Sequence, residues 1–315
     1  MGFFVPSDSS VKEETDVSAK WDTNFSRCAV GGLSGGSYEE SVPFTGLTNF
    51  YTHFDMKCDS FAGGTINICV WVDGFGVEQI RLQWDRSTNN LYFQYWNGSA
   101  WTTTGTSISI DLSATVNDMD VHLLVNSASG ALQLYIAGTS RISAANVNLS
   151  SVASISKIRS YGQPAGCQMS QVVIADVPTI GMRVGTIYMS GQGATHTYDV
   201  GGYANINETV YNDANFIQSG TAGQIELFTG TAIPTFSGYQ IKAIALTARG
   251  KTDGTAPTKF DFCLRSGGTN YFSADQVLGV GYGAFCAVWE TDPATSAAFL
   301  STAIPNLQFG VKSVT

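Results

Sequence analysis

Basic residues are scarce in this chain. Lys and Arg together number 16 against 25 Asp and Glu, which leaves a net charge of −9. Sequence-independent nucleic-acid binding needs a basic patch that displaces counterions, and docking on anionic lipid needs the same sign of charge. Neither is expected here. Charge of either sign is thin, at 13% of residues, about half the usual share. Gly, Ser, Thr and Asn fill the gap. That mixture suits short strands joined by tight turns, and it suits extracellular or viral surface proteins whose solubility rests on neutral polar groups. No apolar run is long enough to span a bilayer. The opening residues, Met1-Gly2-Phe3-Phe4-Val5-Pro6, carry no basic segment and no long apolar stretch, so no secretory signal is expected.

The six cysteines, Cys28, Cys58, Cys69, Cys167, Cys263 and Cys286, include no C-x-x-C pair. Zinc-type spacing is therefore absent, and most of them are expected to be reduced and buried. Strand parity places Cys58 on the face of Phe50, Phe54 and Met56, but Cys69 opposite Ile66, Ile68 and Val70. On that reading the two do not share a core. Helical periodicity is also missing: 147–155 and 295–302 have room for one short turn each.

What the chain does have is alternation punctuated by turn residues. Residues 66–72, 78–85 and 91–96 read as three consecutive antiparallel strands. Asp73-Gly74 and Ser87-Thr88-Asn89-Asn90 separate them, and Asn97-Gly98 follows as a pair suited to a type I′ hairpin. Further strands are expected at 50–58, 101–106, 107–112, 118–125, 131–137, 155–160 and 168–175. The second half shows a strand start at 183, a strand at 223–228, a strong strand at 238–249, and strands at 259–266, 271–274, 282–290 and 307–314. The expected fold class is all-β: an extended arm over 1–24, a β-sandwich over 25–182 and a second β-sandwich over 183–315.

The ordered set VWVDG…IRLQWDRSTNNLYF, VHLLVNSASGALQLYIAGT and MSQVVIADVPTIG resembles the concanavalin A-like lectin/glucanase sandwich, a jelly roll, in its laminin-G-like form. The second half contains D-x-x-F-I-x-S-x-x-x-G-Q, from Asp213 to Gln224, and later ETDP…FGVK. Together the two parts resemble virion proteins of tailed bacteriophages, of the fibre, spike, collar or decoration type. The resemblance implies a structural component of a virion, located there, that mediates particle assembly and host-surface attachment. It implies other virion proteins as partners and a symmetric homo-oligomer, a trimer among the options. The polar 1–24 arm would dock on a neighbouring subunit.

Catalytic patterns are weak. His53, His122 and His196 lie on three separate elements, and no G-x-S-x-G elbow is present. Glycosidases on this fold need paired carboxylates about 5–5.5 Å apart in the retaining case, which one strand supplies as Glu-x-Asp-x-x-Glu. Asp118-Met119-Asp120 lacks the third acid, Glu290-Thr291-Asp292 lacks it too and runs into Pro293, and Glu39-Glu40 point to opposite faces. All read as solvated strand ends. The chain is therefore expected not to be an enzyme, with a glycoside hydrolase the least favoured reading. Asp73, Asp85 and Asp176 sit at strand ends with no sign of convergence, so no metal and no cofactor are expected. The alternative function is glycan binding. Tyr95, Trp96 and Trp101 flank Asn97-Gly98, and sugar rings stack their apolar faces on aromatics. Parity puts Tyr95 on the inner face and Trp96 on the outer one. Trp71, Trp84 and Trp289 lie in strong strands and are expected in the core.

Overall fold

Alternating apolar residues form the inner faces of two packed sheets in the first half of the chain. The structure is a computed structural model; it describes strand pieces at 2–3, 12–13 and 30–31, and residues 38–58 except 42, 64–161 except 114, 167–207, 212–232 and 239–315. It divides into two compact units, the first extending to Val184 and the second running from Gly185 to Thr315.

The first unit holds, in chain order, β1 (Gly2–Phe3), β2 (Lys12–Glu13), β3 (Val30–Gly31), β4 (Tyr38–Glu40), β5 (Asn49–Cys58), β6 (Thr65–Asp73) and β7 (Glu78–Asp85). It continues with β8 (Asn90–Trp96), β9 (Trp101–Ser109), β10 (Asn117–Leu124), β11 (Gly130–Ile136), β12 (Thr139–Val147), β13 (Ile155–Tyr161) and β14 (Cys167–Ala175). One sheet has the order β12-β11-β10-β5-β14-β3-β2, with β1 on β14. The other, here called the meander sheet, has the order β4-β13-β6-β7-β8-β9. Every second residue of β5 and β10 faces the meander sheet. Phe50, Phe54, Met56, Met119, Val121 and Leu123 pack there against Trp71, Ile80, Leu82, Trp84, Leu91 and Phe93. Burying each such side chain contributes about 1.5–3 kcal/mol. The indole N–H groups do not go unmet: Trp71 donates to the Thr52 hydroxyl at 3.1 Å and Trp84 to the Ile110 carbonyl at 3.0 Å.

The second unit holds β15 (Met189–His196), β16 (Ile225–Gly230), β17 (Ile244–Gly250), β18 (Lys259–Ser266), β19 (Thr269–Phe272), β20 (Gln276–Val277), β21 (Gly283–Trp289) and β22 (Gln308–Val314). β15-β16-β22-β18-β19 form a sheet with β20 beside β18, and β17-β21 form a two-stranded ribbon. Phe260, Phe262, Leu264 and Phe309 from the sheet share a core with Leu246 from the ribbon, and Phe285 and Trp289 pack on it. Gly310 allows β22 to approach β16 closely, because a Cβ there would lie 1.9 Å from the Glu226 carbonyl oxygen. The molecule is all-β, as the alternation indicates, and among the described residues the only helices are single 3₁₀ turns at Tyr203–Asn205 and Ile304–Asn306. Among the described residues no helix is long and apolar enough to cross a membrane.

Several local expectations change. The Asn97-Gly98 loop is not a two-residue type I′ turn. Trp96 pairs with Trp101, which leaves four loop residues, and the Asn97 side chain accepts from the Ser99 and Ala100 amides. Two-residue loops with positive φ at both positions are Ala137-Gly138 (φ 49° and 73°), between β11 and β12, and Gly267-Gly268 (φ 57° and 83°), between β18 and β19. β12 was not expected, because as an edge strand it turns mostly polar residues outward and only Ile142, Ala144 and the terminal Val147 inward. Register shifts between Asn67 and Cys69, where β6 pairs with β7. That bulge rotates Cys69 into the same core as Cys58. Of the 1–24 arm, the described pieces pair within the chain itself, β1 with β14 and β2 with β3; its other residues lie outside the described ones, as does Cys28. Trp289 is half-buried, unlike the fully buried Trp71 and Trp84.

Candidate functional site

The outward residues of the meander sheet form one surface. On β7 they are Arg81 and Gln83, on β8 Tyr92, Gln94 and Trp96, and on β9 Trp101 and Thr103, each placed by the period of two. Trp96 and Trp101 are cross-strand partners whose rings meet edge to face, with centroids 5.8 Å apart. The Arg81 guanidinium lies 3.6 Å from the Trp101 ring centroid, a cation–π contact worth about 0.5–1 kcal/mol at an exposed site.

Arg81 is held in turn by a chain of ion pairs. Its Nη2 is 2.6 Å from Glu78 Oε2, Arg159 Nη1 is 3.5 Å from Glu78 Oε1, and Arg159 Nε is 2.6 Å from Glu40 Oε1. Lys157 closes the far end on Glu40 at 3.0 Å, and the Tyr161 hydroxyl donates to Glu78. Burial raises the Glu40 pKa, but the bonds from Lys157 and Arg159 outweigh that and hold the carboxyl below its usual 4.5. Burial and the Glu78 carboxylate push the Tyr161 phenol up to about 12. Beyond Gln94, whose amide reaches the Thr103 hydroxyl at 3.3 Å, the surface dips into a shallow depression lined by Tyr92, Thr103, Thr106, Ser107, Thr88 and Asp85, with Asn90 and Gly105. Aromatic rings, amides and hydroxyls therefore run side by side along three adjacent strands.

The structure separates the three aromatics singled out in the sequence. Trp96 and Trp101 stand together on the outer face. Tyr95 points the other way and packs on the core, so it is removed from the candidate surface. Asp73 and Asp85, considered as cation ligands, instead cap their own turns. Asp73 accepts from the Phe75 and Val77 amides, both at 2.9 Å, and Asp85 from Ser87 and Thr88, both at 2.9 Å. Asp176 is exposed, and the three do not converge.

Opposite the core, the outer face of β5 and β10 holds a different set. Asp55 faces Asp118 across the strand pair, His53 faces Asp120, and Tyr51 faces His122. Asp120 is fully buried, not a solvated strand end. It accepts from the Thr179 hydroxyl at 2.8 Å and lies 3.0 Å from His53 Nδ1. Arg183 pairs with Asp118. A bulge in β14, with Gln171 at φ 55°, aims the Gln171 amide at Asp55. Burial lifts the Asp55 carboxyl to about 6, against the pull of His53 and Arg183. The sequence contained a signal for this cluster, His53-x-Asp55 and Asp118-x-Asp120, each pair on one strand face. It did not say that the two strands are neighbours. Next to the cluster, Tyr51 stacks on His122 at 4.3 Å, and the His122 nitrogens lie 2.9 Å from the Gln133 and Asn49 side-chain oxygens.

The second unit contributes one further pairing. His196, half-exposed, meets fully buried Glu226 at 2.5 Å, and Gln192 donates to the same carboxylate at 2.7 Å. Burial and the Glu226 charge push the Tyr198 phenol up. Every histidine thus has a structural partner, and none of these contacts includes a serine or cysteine nucleophile.

No protein-family model matches the chain, and no curated protein matches it. Among solved structures it is similar to the carbohydrate-binding module CBM66 from Bacillus subtilis, at 11% identity over 46% of this chain and 85% of that one, with a TM-score of 0.34. It is also similar to an endo-β-1,4-glucuronan lyase from the fungus Trichoderma reesei, at 11% identity over 52% of this chain and 89% of that one, TM-score 0.38. A third match is the alginate lyase Aly36B, at 15% identity over 53% and 87% of the two chains, TM-score 0.35. Likeness at this level transfers no activity. Two of these three matches are named as lyases, which stands against the expectation that the chain is not an enzyme.

Proposed function

We propose that the first unit is a carbohydrate-recognition domain that binds a polysaccharide along the outer face of β7, β8 and β9. The observation that carries this reading is the Trp96–Trp101 pair, fixed on the outer face by Arg81 and continued by Gln94, Tyr92 and Thr103 into the shallow depression. A sugar ring stacks on an indole through its C–H face, and its hydroxyls need neighbouring donors and acceptors. This surface offers both, already ordered: the ion-pair chain from Lys157 to Arg81 holds the platform before any ligand arrives, which lowers the entropic cost of binding.

The test is a glycan array followed by calorimetry on the strongest hit. Trp96→Ala and Trp101→Ala are expected to weaken binding at least tenfold, while Tyr92→Phe weakens it less. Full-strength binding by both Trp variants would reject this surface.

A place in a bacteriophage particle is a second reading and rests on the sequence resemblance alone: the ADVPTIG passage, the Asp213–Gln224 element and the closing ETDP…FGVK. On this reading the chain is a homo-oligomeric virion component, and the glycan surface serves host attachment. Mass spectrometry of purified particles tests it; absence of the chain from them would remove it.

A further inference from the structure

The outer face of β5 and β10 contains a cluster that its own neighbours leave incomplete. His53 and Asp55 project from β5 and Asp118 from β10, and one possible ligand atom from each lies within 4.8 Å of the others. Five buried side-chain polar atoms among the described residues have no hydrogen-bond partner, and three of them are here: His53 Nε2, Asp118 Oδ1 and Asp120 Oδ2. His53 and Asp120 are both 0% exposed. A polar atom left unpaired at that depth costs about 1–3 kcal/mol, more for a charged group. Two of the three, His53 Nε2 and Asp118 Oδ1, belong to the group of possible ligands and point to a missing partner that binds both residues.

The chemistry of the donors identifies the class of that partner. Asp120 Oδ1 already accepts from the Thr179 hydroxyl, and when this carboxylate is ionised the short contact to His53 is made by the ring donating from Nδ1. In the neutral ring this leaves the lone pair on Nε2. A carboxylate fixing one ring nitrogen while the other faces a cation is the usual second-shell arrangement of a metal-bound histidine. Three carboxylates, Asp55, Asp118 and Asp120, face one guanidinium, Arg183, which bonds Asp118 through Oδ2; Asp118 Oδ1 lies 3.7 Å from His53 Nδ1 and has no hydrogen-bond partner. One imidazole with two carboxylates is a nitrogen–oxygen set that suits borderline divalent transition ions; Ca²⁺ requires six to eight oxygens.

We propose that His53, Asp55 and Asp118 form a binding site for a divalent transition cation of the zinc or manganese type, with Asp120 orienting His53. The site is independent of the glycan surface, since it lies on the other sheet and shares no residue with it. The segment 179–183 belongs to it, because Thr179 and Arg183 are bonded to its carboxylates.

The full chain, stripped with chelator, is titrated calorimetrically with ZnCl₂ and separately with MnCl₂, and its thermal midpoint is followed in parallel. The expected result is one ion per chain for at least one of the two metals, with a raised midpoint. Asp55→Asn and Asp118→Asn should abolish that binding, Asp120→Asn should weaken it roughly 10–100-fold, and Asp85→Asn on the other sheet should leave it unchanged. If neither metal binds the wild-type chain up to millimolar concentration, the proposal is overturned whatever the variants do. Binding that survives both Asp55→Asn and Asp118→Asn overturns it equally. Should a variant fail to fold, the cobalt(II) visible spectrum of the wild-type chain decides: a bound ion with nitrogen–oxygen ligand bands supports the site, and the spectrum of the aqueous ion rejects it.

Discussion

The two outer faces of the first sandwich carry charge in opposite ways. On the meander sheet, Lys157, Glu40, Arg159, Glu78 and Arg81 alternate in sign and complete one another's hydrogen bonds before ending on Trp101. On the β5–β10 face, three carboxylates surround one histidine and one arginine, and polar atoms are left buried without partners. The first arrangement is self-sufficient and holds a surface in shape. The second depends on something added. Exposure accounts for the difference in energy: in the meander network each side chain keeps some contact with water, which screens it, while His53 and Asp120 have none and must be satisfied by bonds alone.

Removing one charge from each face would test that contrast. Asp120→Ala leaves His53 buried without its carboxylate, and breaking a buried pair in this way costs about 3–5 kcal/mol. At roughly 2–4 °C per kcal/mol for a unit of this size, that lowers the melting midpoint by about 6–20 °C. Calorimetric melting of the metal-free chain measures it; a shift no larger than that of Glu78→Ala would erase the distinction between the faces. Arg81→Ala should be milder, with a loss of about 1 kcal/mol or less in stability. Its sharper effect falls on glycan affinity, reduced several-fold, because Trp101 loses the contact that fixes it; an unchanged affinity would show that the platform holds itself.

The smallest effect is in the pH dependence of the meander network. The Glu40 carboxyl titrates below its usual 4.5 in the folded chain. Its contribution is therefore fully present above the unfolded value and is lost as pH falls through the lower, folded one. Unfolding free energies of the wild type and Glu40→Gln, from urea titrations, should differ by about 1 kcal/mol or less near neutrality and converge as the solution is acidified below 4.5. A gap that widened on acidification would reverse the sign assigned here.

Much of this was legible in the chain. Alternation in 78–85 and 91–96 put Ile80, Leu82, Trp84, Leu91 and Phe93 inward and Trp96 outward, and the structure places them so. Tyr95 was readable as inward by the same count, although its neighbours in sequence drew it into the candidate surface. Cys69 was not readable, because a one-residue bulge reverses parity and leaves no mark in composition. Neither was the register that sets Asp55 against Asp118.

By itself, then, the sequence determined an all-β chain with a weakly charged, acidic surface, and it determined which residues share a strand face, since side-chain period is a property of the local backbone. Only the tertiary structure decided which faces meet. His53 and Asp120 stand 67 positions apart and become partners because β5 and β10 pair directly in the sheet. That pairing is selected by how the whole inner face packs, so no local pattern records it, and the charged cluster on the outer face follows from packing on the inner one.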